Sequence, residues 1–243
     1  MLTVTAGASN GNPNNHDVSR NNVRTIIIKT KNNRKMENVL ELFAGSRSVG
    51  TIAESLGMNV FSVDWENYDN IDLVMDIGDL KISDIPFIPD AVWASPDCTT
   101  YTVAAISKHR NGVEPKTEYA RKCDDVNKHL LSLINSWIEL NPKMVFFIEN
   151  PRGMLRKMPF MQKLTRYTVW YCQYGEKRAK PTDIFTNSKT WIPRPECHNG
   201  NRNCHHEPAP RGSRTGTQGI KGSKDRGRIP EQLCIEVLES LRK

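Results

Sequence analysis

Asn38-Val39-Leu40-Glu41-Leu42-Phe43-Ala44-Gly45-Ser46-Arg47-Ser48-Val49-Gly50 decides the fold. The short apolar run 39–43 stops at the small residues Ala44, Gly45 and Ser46, and a helical stretch follows as far as Leu56 and Gly57. Strand, tight turn and helix in that order form the opening unit of a doubly wound sheet. The chain beyond repeats the theme. Residues 59–63 are a second apolar run closed by Asp64, residues 73–75 a weaker third, 91–94 a fourth and 144–148 a fifth. Between the last two, residues 117–140 place Leu130, Leu131, Leu133, Ile134, Trp137 and Ile138 along one long helix. Residues 168–174 alternate as a later strand, and 230–241 form an amphipathic helix with Pro in its first turn. The reading is an α/β protein with a doubly wound, mostly parallel sheet buried on both faces and a small irregular basic insert.

Composition divides the rest. Residues 1–36 are rich in Asn, Ser and Gly and read as a disordered or weakly ordered basic arm, with residues 25–30 as its one strand-like stretch. Residues 37–186 with 227–243 form the expected catalytic domain, and 187–226 a Cys/His insert almost free of aliphatic side chains. Net charge is +5 over residues 1–36, −4 over 37–175 and +7 over 176–228. Positive charge gathered on one segment suits a phosphate-binding face; a merely soluble basic surface is the alternative. Arg211, Arg214, Lys221, Lys224 and Arg226 alternate with small residues there and are the candidate nucleic-acid contacts. No run reaches the eighteen or so apolar residues of a membrane span, and residues 1–35 lack the apolar core of a secretion signal.

In open α/β sheets, ligands sit beyond the carboxyl ends of the strands. After the first strand, Phe43-Ala44-Gly45-Ser46 lets a ligand approach the backbone and leaves helix N–H groups free for a carboxylate. After the second, Asp64 can accept hydrogen bonds from both hydroxyls of a ribose and Trp65 can pack on adenine; after the third, Asp76-Ile77 can meet the adenine amino group. The three-glycine phosphate fingerprint and the Gly-Lys-Ser/Thr signature are absent, which favours an adenosyl group without phosphates. The fourth strand ends in Ala94-Ser95-Pro96-Asp97-Cys98-Thr99-Thr100, the fifth in Ile148-Glu149-Asn150-Pro151. Neighbouring strands would bring thiol and carboxyl to one cleft. Alone, Cys98 reads equally as a small buried hydrophobe and Glu149 as part of a turn, although a Glu ending a buried strand is costly without partners.

The order of these blocks resembles the DNA (cytosine-5) methyltransferase family, in particular its compact phage-like members. Leu42-Phe43-Ala44-Gly45 resembles the family's first motif, Asp64-Trp65 its second and Asp76-Ile77 its third. Ser95 to Cys98 resembles the Pro-Cys motif, Glu149-Asn150-Pro151 the Glu-Asn-Val motif, and Gly227-Arg228-Ile229-Pro230 the closing motif. The similarity covers residues 38–187 and 226–241. It implies a Rossmann-like S-adenosylmethionine-dependent fold, with Phe43, Ala44, Gly45, Ser46, Asp64, Trp65, Asp76, Ile77, Ser95 and Pro96 around the cofactor. It further implies a cytosine in DNA as substrate, flipped out of a duplex, with Cys98 as nucleophile toward C6 and Glu149 at N3. A monomer in the cytoplasm of a bacterial or phage-infected cell is the corresponding expectation.

The sequence departs from that pattern in three places. Asp97 separates Pro96 from Cys98, and a carboxylate beside a thiol raises its pKa unless it points away or is paired; Thr99 and Thr100 could open a helix that offsets this. Where the family has two arginines after a Tyr-Gly, Tyr174-Gly175 is followed by Lys180 and Thr182, so Lys180 or Arg178 is expected to polarise the cytosine carbonyl. The large target-recognition domain is missing; residues 187–228 take its slot. There Cys197, Cys204 and His205, joined by Cys172, could hold a structural zinc; free thiols and solvent-facing histidines are the alternative. Two other functions stay open: methylation of RNA or of an exocyclic amino group, and a non-catalytic nucleic-acid-binding relative.

Overall fold

The computed structural model describes residues 37–208, 220 and 222–243. The N-terminal arm and its strand-like stretch 25–30 lie outside the described residues. Seven strands form one sheet: β1 Asn38–Leu42, β2 Asn59–Asp64, β3 Leu73–Val74, β4 Ala91–Ala94, β5 Val145–Pro151, β6 Arg166–Trp170 and β7 Pro181–Thr186, in the order β3-β2-β1-β4-β5-β7-β6. Neighbours from β3 to β5 pair in parallel. Strand β7 runs antiparallel to both β5 and β6. The sheet is thus mostly parallel with one reversed strand, in an α/β fold.

Alternation along the strands explains why both faces are buried. Leu40, Leu42, Val92, Ala94, Phe146 and Ile148 turn to one side, where Leu130, Leu133, Ile134 and Trp137 of helix α2 (Glu118–Leu140) cover them. Val39, Ala91, Trp93 and Phe147 turn to the other, against Val49 and Ala53 of α1 (Ser48–Ser55) and Leu233, Val237 and Leu238 of α3 (Glu231–Ser240). Each of the Leu, Ile, Val and Phe side chains taken from water contributes about 1.5–3 kcal/mol, and it is this burial, more than helix propensity, that holds α2 down. Thr117 starts α2 by accepting the N–H of Ala120 at 3.2 Å. The helix stops at Leu140 because Asn141 precedes Pro142 and cannot stay helical comfortably.

The structure corrects the sequence reading in three stretches. The strand expected over 168–174 ends at Trp170, and Tyr171–Tyr174 coil into a 3-10 turn. Strand β7 was not expected at all. Residues 187–194, assigned to the insert by composition, pack on the sheet: Trp191 is 4% exposed and meets Phe147 and Tyr167 edge-on. The side chain of Asn187 continues the sheet's hydrogen bonding, accepting the N–H of Phe146 and donating to the carbonyl of Met144, both at 2.9 Å. No helix among the described residues is long and apolar enough to cross a membrane.

Candidate active site

Strands β4 and β5 run side by side with Ala94 opposite Ile148, so the residues that follow, Cys98 and Glu149, emerge at the same end of the sheet. Glu149, Asn150 and Pro151 are part of β5 itself, paired with Ile184, Asp183 and Thr182 of β7. A turn at Glu149 is therefore excluded. Asn150 ties the two strand ends together by donating from Nδ2 to the carbonyl of Pro96 at 2.9 Å. Its Oδ1 is buried with no hydrogen-bond partner among the described residues.

Glu149 is buried, and burial pushes its carboxyl up from the usual range. Lys180, the hydroxyl of Tyr171 and Ser95 pull it back. Tyr171 donates to Oε1 at 3.0 Å, and the same ring receives the ammonium of Lys180 on its face, 4.4 Å from the centroid. Burial also holds Lys180 below its ordinary value, opposed by the charge of Glu149. Lys180 has φ +25, outside the comfortable range for a residue with a side chain, and its Nζ donates to the carbonyl of Arg226 at 3.0 Å. Such strain, about 1–3 kcal/mol, persists only where the surroundings impose it.

The thiol of Cys98 is half-buried. Burial pushes it up to about 11; Glu149 and Asp97 add to the rise and Lys180 opposes it. Both oxygens of Asp97 are engaged: one accepts the N–H of Thr99 at 2.7 Å, and the other is bonded to the hydroxyl of Tyr119. No helix begins at Thr99 or Thr100. Residues 99–105 turn instead, because both Tyr101 and Thr102 donate their N–H groups to the carbonyl of Cys98. The expected helix-dipole activation of Cys98 is thus absent, and Lys180 is the cation acting on the thiol. Arg178 is not: Glu176 holds its guanidinium at 3.0 and 3.1 Å.

At the other strand ends, Asp64 locks the glycine loop. Its Oδ2 accepts the N–H of Gly45 and its Oδ1 that of Glu66, both at 2.9 Å. Phe43, Gly45 and Arg47 all have positive φ, and only at Gly45 does this come without a steric cost. The N-terminus of α1 is not free for a ligand carboxylate, contrary to expectation. The chain's own Glu41 fills it, accepting the N–H of Val49 at 3.0 Å, and burial pushes that carboxyl up to about 7. Trp65 is 67% exposed beside Asp64, an uncovered indole of the kind that stacks on a ring. Asp76 pairs with Lys122 at 2.8 Å and borders a cleft of about 580 Å³ with Gly78 and Tyr119. Ile77 is 1% exposed and belongs to the core, so its side chain does not reach a ligand. Ser95 accepts the indole N–H of Trp93 at 2.9 Å, and Pro96 is buried.

The cysteine-rich segment also differs in one ligand. Cys172, Cys197, Cys204 and His206 converge. His205 is turned away, its Nε2 at 3.0 Å from the carbonyl of Glu176. His206, and not His205, therefore joins the three sulfurs. Arg226 is exposed in the short helix Ser223–Gly227. Arg211, Arg214 and Lys221 lie outside the described residues, as does the side chain of Lys224. Tyr171, Asn150 and Glu41 were not singled out from sequence; Tyr171 carried a signal only as one apolar position of an alternating stretch.

No protein-family model matches the chain, and no curated protein matches it in sequence. Solved structures do. The Entamoeba histolytica methyltransferase EhMeth is similar at 17% identity and a TM-score of 0.46, over 68% of this chain and 58% of that one. The S. pombe Dnmt2 methyltransferase is similar at 16% identity and 0.44, over 63% and 49%. The first two are methyltransferases. A Spodoptera frugiperda DNMT2 variant follows at 18% identity and 0.44, over 71% and 57%. The chain thus spans between about half and three-fifths of the length of these structures.

Proposed function

We infer that this chain transfers a methyl group from S-adenosylmethionine to C5 of cytosine in DNA, with Cys98 as the attacking group. One observation carries the reading: Cys98 and Glu149 leave adjacent parallel strands at the same end of the sheet, bridged by the Asn150–Pro96 bond, with Lys180 acting on both.

The residues at hand fit the cofactor. The loop 43–46, Asp64, exposed Trp65 and Asp76 would hold the adenosyl group. S-adenosylmethionine, when bound, supplies an electrophilic methyl. The rest is the work of the chain. C5 of cytosine is a poor nucleophile until the sulfur of Cys98 bonds to C6, which pushes the electrons of the 5,6 double bond toward C5. Glu149, whose burial favours the neutral carboxyl, holds a proton at N3 and so stabilises the charge driven into the ring. Once C5 carried the methyl, its proton would pass to water acting as base, the double bond would re-form, and the C6–S electrons would leave with the sulfur as the Cys98 thiolate. One hard substitution thus becomes two easier steps. Lys180 lowers the cost of forming the thiolate and stands near the carboxyl of Glu149 as the candidate partner of the cytosine carbonyl. The basic segment 176–228, net +7, supplies the charge for a phosphate backbone.

Expressing the chain in a host free of 5-methylcytosine tests this, with DNA and RNA digested separately and their nucleosides identified by mass spectrometry. 5-Methylcytosine in DNA is expected with the unaltered chain and not with Cys98→Ala. The same base found only in RNA moves the acceptor to RNA. A methylated exocyclic amino group, or undiminished C5 methylation by the variant, removes Cys98 from the reaction.

A further inference from the structure

We propose that Cys172, Cys197, Cys204 and His206 bind one zinc ion, which clasps the basic insert to the turn that carries Tyr171. Their ligand atoms come from separate parts of the chain: Cys172 from the 3-10 turn after β6, Cys197 from the irregular stretch after β7, and Cys204 and His206 from further along it. All four lie within 4.8 Å of one another. A tetrahedron of zinc–sulfur bonds near 2.3 Å has edges of about 3.8 Å, and Sγ of Cys197 stands 3.8 Å from Nδ1 of His206. None of the cysteines is in a disulfide.

The surroundings suit a metal better than an apolar core. Among the described residues, the cluster under this segment holds Trp170, Cys172, Ala179 and Cys197, with Cys204 against it. That is too little burial to offset the ordering of a polar stretch, and a metal bound only by the folded chain makes up such a deficit. Three thiolates and a neutral imidazole around a divalent ion leave one negative charge. Amide donors face it: Nδ2 of Asn201 at 3.4 Å from Sγ of Cys197, and Nε2 of Gln173 at 3.8 Å from the sulfurs of both Cys172 and Cys204. Three soft ligands with one imidazole select zinc, and four protein ligands leave no position for a reacting water. The ion is therefore structural.

Its position gives it a second consequence. Cys172 directly follows Tyr171, which bonds Glu149. Beyond the ligands, the N–H of Glu207 donates to the carbonyl of Lys177 at 2.8 Å, and His205 meets the carbonyl of Glu176. The Cys/His turn thus grips the stretch 172–177 that leads to Lys180.

Elemental analysis of the purified full-length chain tests the assignment. About one zinc per chain is expected, with cobalt(II) in its place giving the intense thiolate charge-transfer and tetrahedral absorption bands. Cys204→Ser and His206→Asn lower zinc affinity at least ten-fold; His205→Asn and Cys98→Ala leave it unchanged. If a ligand variant fails to fold, the metal content of the unaltered chain decides. Freshly purified protein that holds no metal, or a Cys197–Cys204 disulfide found by mass spectrometry without reductant, overturns the proposal. So does zinc lost in His205→Asn and kept in His206→Asn. Metal content is read without any methylation assay, so the site and the proposed reaction stand or fall separately.

Discussion

The hydroxyl of Tyr171 donates a 3.0 Å hydrogen bond to Oε1 of Glu149, and both side chains are buried. A buried carboxyl that loses its donor keeps the cost of its desolvation, about 1–3 kcal/mol. Tyr171→Phe is expected to lower kcat/KM roughly ten-fold. Because that hydrogen bond pulls the carboxyl of Glu149 down, the variant also moves the alkaline limb of the pH–rate profile to higher pH. An unshifted limb in steady-state assays across pH would show that Glu149 is not the titrating acid.

Cys98 is expected to react slowly with iodoacetamide at neutral pH, since the thiolate is the nucleophile and the thiol lies up near about 11. The rate should climb about ten-fold per pH unit between neutrality and pH 10. Lys180→Met removes the cation that opposes the rise and slows alkylation at a given pH; Glu149→Gln removes a like charge and speeds it. Peptide mapping separates Cys98 from Cys204, which is also half-buried. Equal rates in both variants and the unaltered chain would mean that neither group reaches the sulfur.

Glu41 couples stability to pH. Its folded-state pKa, about 7, lies above the unfolded value near 4.5. The folded chain therefore holds the extra proton between those values, and stability is full below pH 4.5 and falls as pH rises through 7. Over that window the loss attributable to Glu41 is on the order of 3 kcal/mol. Glu41→Gln should flatten the slope. Urea denaturation of both chains at pH 5, 6, 7 and 8 gives the difference, in which titrations common to both cancel; a constant difference contradicts the expectation.

Gly153 has no room for a side chain. A Cβ there would press on the carbonyl of Tyr101, which accepts the N–H of Met154 at 2.7 Å. That contact joins the loop after Cys98 to the end of β5. Gly153→Ala is expected to cost about 1–3 kcal/mol of stability and most of the activity, by separating the two strand ends. Unchanged denaturation midpoints would show that the loops can part without harm.

Strands β1, β2 and β4 and helix α2 are legible because a strand buried on both faces is a continuous apolar run and a helix packed on one side repeats at three and four residues. Strand β7 is not, because Asp183 interrupts its apolar run. The charge is tolerated there because Arg156, Arg166 and Thr168, distant in sequence, satisfy it. The pairing of Cys98 with Glu149 could be read from strand order. The partners of Glu149 could not, since Tyr171 looks like one more apolar position of an alternating stretch until the chain coils after Trp170. His205 and His206 are chemically equivalent neighbours, and only the direction of the backbone tells them apart. Glu41 reads as a stray acid inside a strand until α1 is packed above it.

The reversed course of β7 decides which residues can meet. Six strands deliver their last residues to the edge where Cys98 and Glu149 lie, whereas this one presents its beginning there. Lys180 stands just before that beginning. With the six residues Pro181–Thr186 running the other way, its ammonium would start some 20 Å off, at about 3.3 Å per residue. One antiparallel insertion thus spares the chain a long return loop to bring a cation back to its thiol.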